Sequence, residues 1–183
     1  MRLFVGIGLS AEATSAALDH VCERFAGVDL RWSRPENRHV TLQFLGQASE
    51  EQAACVTARL REISGRRVPV RIEGLGIFAR AGIFHAGVGL TPELLALQQR
   101  VLAATRPCGF APELRPYHPH ITLARSKGRD GGKSLAKLRG AMEQNRPALP
   151  AEFLAEEFQL FESFPEPDGS RYEVLARFPL RET

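Results

Sequence analysis

Two stretches of this 183-residue chain are near-copies of each other. His39-Val40-Thr41-Leu42 recurs as His120-Ile121-Thr122-Leu123, and a proline stands four residues ahead of each histidine, at Pro35 and Pro116. A second pair repeats the pattern: Glu73-Gly74-Leu75-Gly76-Ile77-Phe78 looks like Glu156-Glu157-Phe158-Gln159-Leu160-Phe161. Internal repetition restricts the fold to arrangements that use one unit twice, and two such units meet naturally about a pseudo-two-fold axis.

Each HxTL copy leads into a helical segment and then two strands. After the first, Ser49 is an N-cap ahead of acidic residues, and Ala54, Val56, Leu60 and Ile63 form the apolar stripe of a helix over 49–63. Residues 68–78 and 83–90 alternate as strands around a turn at Arg80-Ala81-Gly82. After the second copy, 132–145 reads as a helix, 153–162 as a strand, Pro165 to Gly169 as a turn and 172–178 as the closing strand. Two more helices, about 11–25 and 92–105, stand outside these copies. The second sits behind a Thr91 N-cap and ends at Pro107-Cys108-Gly109. The order β-α-β-α-β-β-α-β-α-β-β predicts an α+β fold. Two mostly antiparallel sheets line a central cleft, with helices outside. No stretch is rich enough in Pro, Gly or Ser to divide the chain, so 1–183 is expected to be one domain with two lobes; the loop 126–132 is its most flexible connection.

Composition narrows the class. Hydrophobic residues make up 44% and charged residues 25%, values of a globular chain with a core. No apolar run approaches the roughly 20 residues of a membrane span. Met1 to Ile7 reads as a first strand rather than a signal peptide, which predicts a cytoplasmic protein. Cys22, Cys55 and Cys108 are odd in number and widely spaced, which argues against a disulfide framework and against structural zinc. The net charge of +3 is too small to indicate nucleic-acid binding by itself, although arginine, the dominant cation, suits bidentate phosphate contacts.

The chemistry lies in the repeated motif. In a strand, residues i and i+2 share a face, so His39 projects with Thr41 and His120 with Thr122, while Val40, Leu42, Ile121 and Leu123 point into the core. Two imidazoles across one cleft suit phosphate-ester cleavage: a neutral one takes a proton from water and a protonated one gives a proton to the leaving oxygen. The threonine hydroxyls donate to the non-bridging oxygens, and Arg125, at the end of the second motif, adds permanent positive charge. The histidines bring no carboxylates or thiolates at short spacing, so neither metal nor cofactor is expected. Of the remaining histidines, His118 is expected at the cleft rim, His85 half-buried in a sheet, and His20 on the first helix. Trp32 and Phe78 are expected to pack, and Gly74, Gly76, Gly87 and Gly89 read as strand glycines beside a close backbone approach.

With these motifs in place, the chain resembles the LigT-like two-histidine phosphoesterases, specifically the bacterial RNA 2′,3′-cyclic phosphodiesterases. The resemblance runs through Arg2 to Ile7, Leu30 to Gly46 and Pro119 to Arg125. It implies a bilobal fold with a water-filled cleft, independence of metal and ATP, and opening of the cyclic phosphate to a 2′-phosphomonoester. It further implies that His39 is the general acid on the 3′ oxygen and His120 the general base on water. Thr41, Thr122 and Arg125 hold the phosphate and Phe44 stacks on the terminal base. One departure is His85, where relatives are expected to carry a larger aromatic residue. The expected partners are RNA ends with a 2′,3′-cyclic phosphate or cyclic nucleotides, handled by a monomer. DNA, which lacks the 2′ oxygen, is not expected as a substrate. Weak reverse 2′-5′ joining is a second activity to expect, and a non-catalytic RNA-end sensor is the alternative from another class.

Overall fold

The computed structural model describes residues 1–9, 12–128, 131–145, 147, 149 and 151–181. Ala11, expected near the start of the first helix, and Arg129 and Asp130 of the 126–132 loop lie outside the described residues. In chain order the elements are β1 (Arg2–Gly8), α1 (Glu12–Arg24), β2 (Arg31–Trp32), a 3-10 turn (Pro35–Asn37), β3 (His39–Gln47), α2 (Glu50–Arg61), β4 (Val68–Phe78), β5 (Ile83–Val88) and α3 (Pro92–Thr105). A second 3-10 turn (Arg106–Cys108), β6 (His120–Arg125), α4 (Gly131–Gln144), β7 (Ala151–Ala155), β8 (Glu157–Glu166) and β9 (Gly169–Pro179) complete the chain. Local chemistry sets several ends. Ser49 and Gln52 form a reciprocal capping box on α2, Thr91 caps α3 through the Leu94 amide, and Gly109 takes the left-handed conformation that closes the turn after α3.

All strand pairings are antiparallel, and the strand order is β7-β4-β5-β6-β3-β1-β8-β9. The two expected sheets are therefore two halves of one continuous order, joined where Val40 of β3 pairs with Ile121 of β6. That order is symmetric about the junction: β6 answers β3, β5 answers β1, and β4 answers β8. The repeating unit is thus β1-α1-β3-α2-β4 followed by β5-α3-β6-α4-β8. This corrects the expectation that α1 and α3 stand outside the copies, because each occupies the same place in its unit. Each unit sends its last strand across to the other lobe. The edges β7 and β9 fall outside the repeat.

Two further expectations change. The strand predicted over 153–162 is divided at Glu156: β7 pairs with β4 in one lobe, and β8 pairs with β1 and β9 in the other. Periodicity cannot reveal this, since the break falls at a single residue and depends on which strand each piece pairs with. Cys55 and Cys108 form a disulfide from α2 to the turn after α3, and Cys22 is the free thiol. The 53-residue separation hid the pairing, which depends on α2 packing against α3. No helix among the described residues is long and apolar enough to cross a membrane.

The core lies between the strands and the helices. Val40, Leu42, Ile121 and Leu123, the aliphatics of the two motifs, are all buried there, as are Leu18, Leu60, Leu94 and Leu138 of the four helices. Each such side chain contributes about 1.5–3 kcal/mol, so the motif strands are held rigidly from behind.

Candidate active site

The two histidines are anchored in the same way. His39 Nδ1 lies 2.7 Å from the Asn37 carbonyl and His120 Nδ1 lies 2.8 Å from the His118 carbonyl. A ring nitrogen facing a carbonyl carries the proton and donates it, so in the neutral form the opposite nitrogen, Nε2, keeps its lone pair. His39 Nε2 lies 3.1 Å from the Thr41 hydroxyl, which confirms that this pair shares a face. The segment before His39 is fixed from both sides. Asn37 donates to the Ser170 carbonyl at 2.6 Å, and the buried Arg38 pairs with Asp19 of α1 at 2.7 Å.

The antiparallel register brings the two motifs together crosswise. With Val40 opposite Ile121, stepping one residue either way sets His39 toward Thr122 and Thr41 toward His120. His39, Thr122, Arg125 and Phe44 line one cleft of about 400 Å³, with Arg31, Trp32 and Tyr172 among its other walls. Tyr117, for which the sequence carried no signal, donates to the Thr41 carbonyl at 2.8 Å and so braces the strand.

A β-bulge places Phe44 and Arg125. The pairing between β1 and β3 skips from Thr41 to Gln43, and that between β5 and β6 skips from Thr122 to Ala124, leaving Leu42 and Leu123 as the extra residues. Both strands consequently show the same run of two successive buried positions, Leu42-Gln43 and Leu123-Ala124, before exposure returns. Without a bulge, the fifth residue after a histidine would point away from the cleft; with it, Phe44 and Arg125 return to the histidine face. Gln43 is turned to the helix side, where it accepts from Thr105 Oγ1 of α3 at 2.7 Å.

The walls around the rings are aromatic. Phe4 lies 4.6 Å, Tyr172 5.2 Å and Phe161 5.9 Å from the His39 ring centroid, and Phe78 lies 4.9 Å from that of His120. Burial among them is the main reason that His39 falls from the ordinary 6.5 to about 4; His120 and Arg125 push in the same direction. His120 is lowered too, first by burial and then by Arg125 and His118. His85 is half-buried as expected, stacked on Phe78 at 4.0 Å and 5.4 Å from the His120 ring, and burial takes it to about 4. His118 and His20 are exposed. Trp32 packs edge-on against Phe84 at 6.0 Å while also lining the cleft, and Phe78 packs against His85 and His120. Among the described residues, no three His, Cys, Asp or Glu side chains are grouped as metal ligands.

Residues 33–163 match the family model of the 2′-5′ RNA ligase superfamily. The RNA 2′,3′-cyclic phosphodiesterase of Aquifex aeolicus is 36% identical over 142 residues, which are 71% of this chain and 73% of that protein. The RNA 2′,3′-cyclic phosphodiesterase of Aeropyrum pernix is 38% identical over 116 residues, 61% of this chain and 66% of that one, so the chain spans just under two thirds of its length. Escherichia coli LigT complexed with 3′-AMP has the same fold, with a TM-score of 0.80 at 24% identity over 99% of this chain and 98% of that one. On the family match and the Aquifex relative together, the chain belongs to the 2′-5′ RNA ligase superfamily.

Proposed function

We propose that this protein hydrolyses 2′,3′-cyclic phosphates at RNA ends to 2′-phosphomonoesters, using His39 and His120 as an acid/base pair without a metal. The observation that carries the reading is the matched anchoring of the two imidazoles, each with Nδ1 on a carbonyl, on the adjacent strands β3 and β6, with His39 lining a cleft that also holds Arg125. The names of the relatives support the substrate. His120, the less enclosed of the two rings, takes a proton from water at Nε2 as the water oxygen bonds to phosphorus. The bond from phosphorus to the 3′ oxygen breaks, and His39 delivers its Nε2 proton to that oxygen. His39 and Phe44 share β3 and both line the cleft, so a base stacked on Phe44 brings the leaving 3′ oxygen toward His39. Thr41, Thr122 and Arg125 hold the non-bridging oxygens, and the bound phosphate's negative charge draws the depressed pKa of His39 back up.

The geometry also permits joining. A 5′-hydroxyl in place of water, deprotonated by His120 while His39 again protonates the departing 3′ oxygen, gives a 2′-5′ linkage; water in an open cleft keeps this minor. The chain alone carries every residue that the reading uses, consistent with a monomer, and a DNA end offers no 2′ oxygen to form the ring. To test the reading, an RNA oligonucleotide with a 2′,3′-cyclic phosphate is incubated with the protein in EDTA and followed by phosphorus NMR. Clean appearance of a 2′-phosphate supports it. Tight binding of the cyclic end without turnover replaces it with the sensor.

A further inference from the structure

β2 is only two residues long, yet it sets Arg31 directly across from Arg125 and Trp32 across from Ala124. The strand fills the fork that opens where β3 leaves β6, and the Ser33 amide holds it there by donating to the Leu123 carbonyl at 2.8 Å. Residues directly opposed in antiparallel strands project to one face, and like charges in that relation repel. Neither guanidinium has an ion-pair partner among the described residues, and both line the cleft. Two opposed arginines, neither ion-paired among the described residues, form a place for two anionic groups.

The cleft also continues beyond them. Arg31, Trp32 and Asp168 line both the 400 Å³ cleft and a second hollow of about 390 Å³ that reaches Lys127. Arg125 shares its strand with His120 and Thr122, so it belongs to the cyclic phosphate. Arg31 lies one strand away, on the side leading into the hollow. The other charged group near the end of an RNA chain is the phosphate on the 5′ side of the last ribose, and a cyclic mononucleotide lacks it.

We propose that Arg31 binds the internucleotide phosphate next to the reacting end and that the hollow beyond Trp32 receives the penultimate nucleotide, making Arg31 the residue that favours RNA chains over cyclic mononucleotides. This rests on the RNA-end reading for the identity of the chain, and on the cleft alone for the position of the second anion.

Trp32 is the sole tryptophan, so its fluorescence reports occupancy of the groove. Uridine 2′-phosphate and the uridine dinucleotide ending in a 2′-phosphate are titrated against wild type, Arg31→Ala and Arg31→Lys. Wild type is expected to bind the dinucleotide roughly tenfold or more tightly than the mononucleotide, the scale of one charge-assisted contact. Arg31→Ala removes most of that gain and flattens the salt dependence of dinucleotide binding by about 0.7 in log–log slope, whereas Arg31→Lys keeps part of it. Equal weakening of both ligands in Arg31→Ala, or no gain in wild type, overturns the proposal. Turnover of the matching cyclic ends, measured alongside, separates the two readings. A dinucleotide gain without turnover leaves the second subsite standing and removes the hydrolase, and turnover without a gain does the reverse.

Discussion

Gly6 and His85 occupy the same place in the two lobes: Gly6 lies across from Thr41 between β1 and β3, and His85 lies across from Thr122 between β5 and β6. Their outer neighbours are exchanged to match, since Gly6 pairs with Gln159 and His85 with Gly76. Each lobe therefore carries one bulky side chain in this row, on a different strand. A Cβ on Gly6 would stand 2.8 Å from the Val40 carbonyl and 3.5 Å from the His39 ring, and a Cβ on Gly76 would stand 2.7 Å from His85. Gly6→Ala is predicted to cost about 1–3 kcal/mol and to displace His39, lowering activity more than stability alone explains. Urea denaturation and initial rates measure both, with Gly27→Ala, where an added Cβ meets nothing within 4 Å, as the neutral control.

The bulge at Leu123 leads to a prediction about Arg125. Because it returns the guanidinium to the histidine face, Arg125→Ala should lower kcat/KM by roughly 10²–10³-fold, with Arg125→Lys intermediate. Phe44, its counterpart on β3 and 64% exposed, should act chiefly through binding. Phe44→Ala should raise KM by about 5- to 150-fold, the range of one stacked base, with kcat little changed. Steady-state kinetics on a cyclic-phosphate oligonucleotide checks both, and an unchanged kcat/KM for Arg125→Ala would remove it from the site.

Burial determines the pH dependence. One imidazole must be protonated and the other neutral, so kcat/KM rises through the lower pKa of the free protein and falls through the higher. With His39 at about 4 and His120 below 6.5, the maximum lies on the acid side of pH 6.5 and the rate declines toward pH 8. Phe161→Ala opens the wall over His39, relieves its desolvation, and moves the acidic limb upward. Stability has the opposite trend. An unfolded histidine protonates near 6.5 and native His39 only near 4, so the stability contributed by keeping it neutral is present above pH 6.5 and lost as the pH falls between these values. A rate that climbs through pH 8 is incompatible with this assignment.

The disulfide gives a prediction independent of the cleft. Closing a loop across a separation of 53 residues, the Cys55–Cys108 bridge should contribute about 2–5 kcal/mol. Thiol titration of the unfolded, unreduced protein should find one reactive cysteine, Cys22. Reduction should lower Tm while leaving the rate at low temperature intact, because the bridge lies on the helices rather than at the cleft.

What was legible in the sequence follows from how local each signal is. The shared faces of His39 with Thr41 and of His120 with Thr122 were readable because strand period and the repeat both act over a few residues; of the four, His39 and Thr122 line the cleft. The likeness of Glu73–Phe78 to Glu156–Phe161 also holds residue by residue: Phe78 lies beside His120 as Phe161 lies beside His39, and both segments pair with equivalent strands. The exchange of β4 and β8 between lobes, the break at Glu156 and the Cys55–Cys108 bridge depend on which elements meet in space, and no local pattern carries that. Phe44 and Arg125 fall between. Strict alternation turns them away from the cleft, and only the bulge, a property of the pairing with β1 and β5, brings them back.

The assignment of roles to the two histidines is tested most directly by changing the leaving group. A cyclic-phosphate oligonucleotide with sulfur in place of the bridging 3′ oxygen expels a thiolate, which needs no proton from a general acid. On the oxygen substrate, His39→Ala and His120→Ala should each lose about 10²–10⁴-fold. On the sulfur substrate, His39→Ala should recover most of its loss while His120→Ala stays inactive. Recovery by His120→Ala instead would reverse the roles, and recovery by neither would contradict acid/base catalysis by this pair.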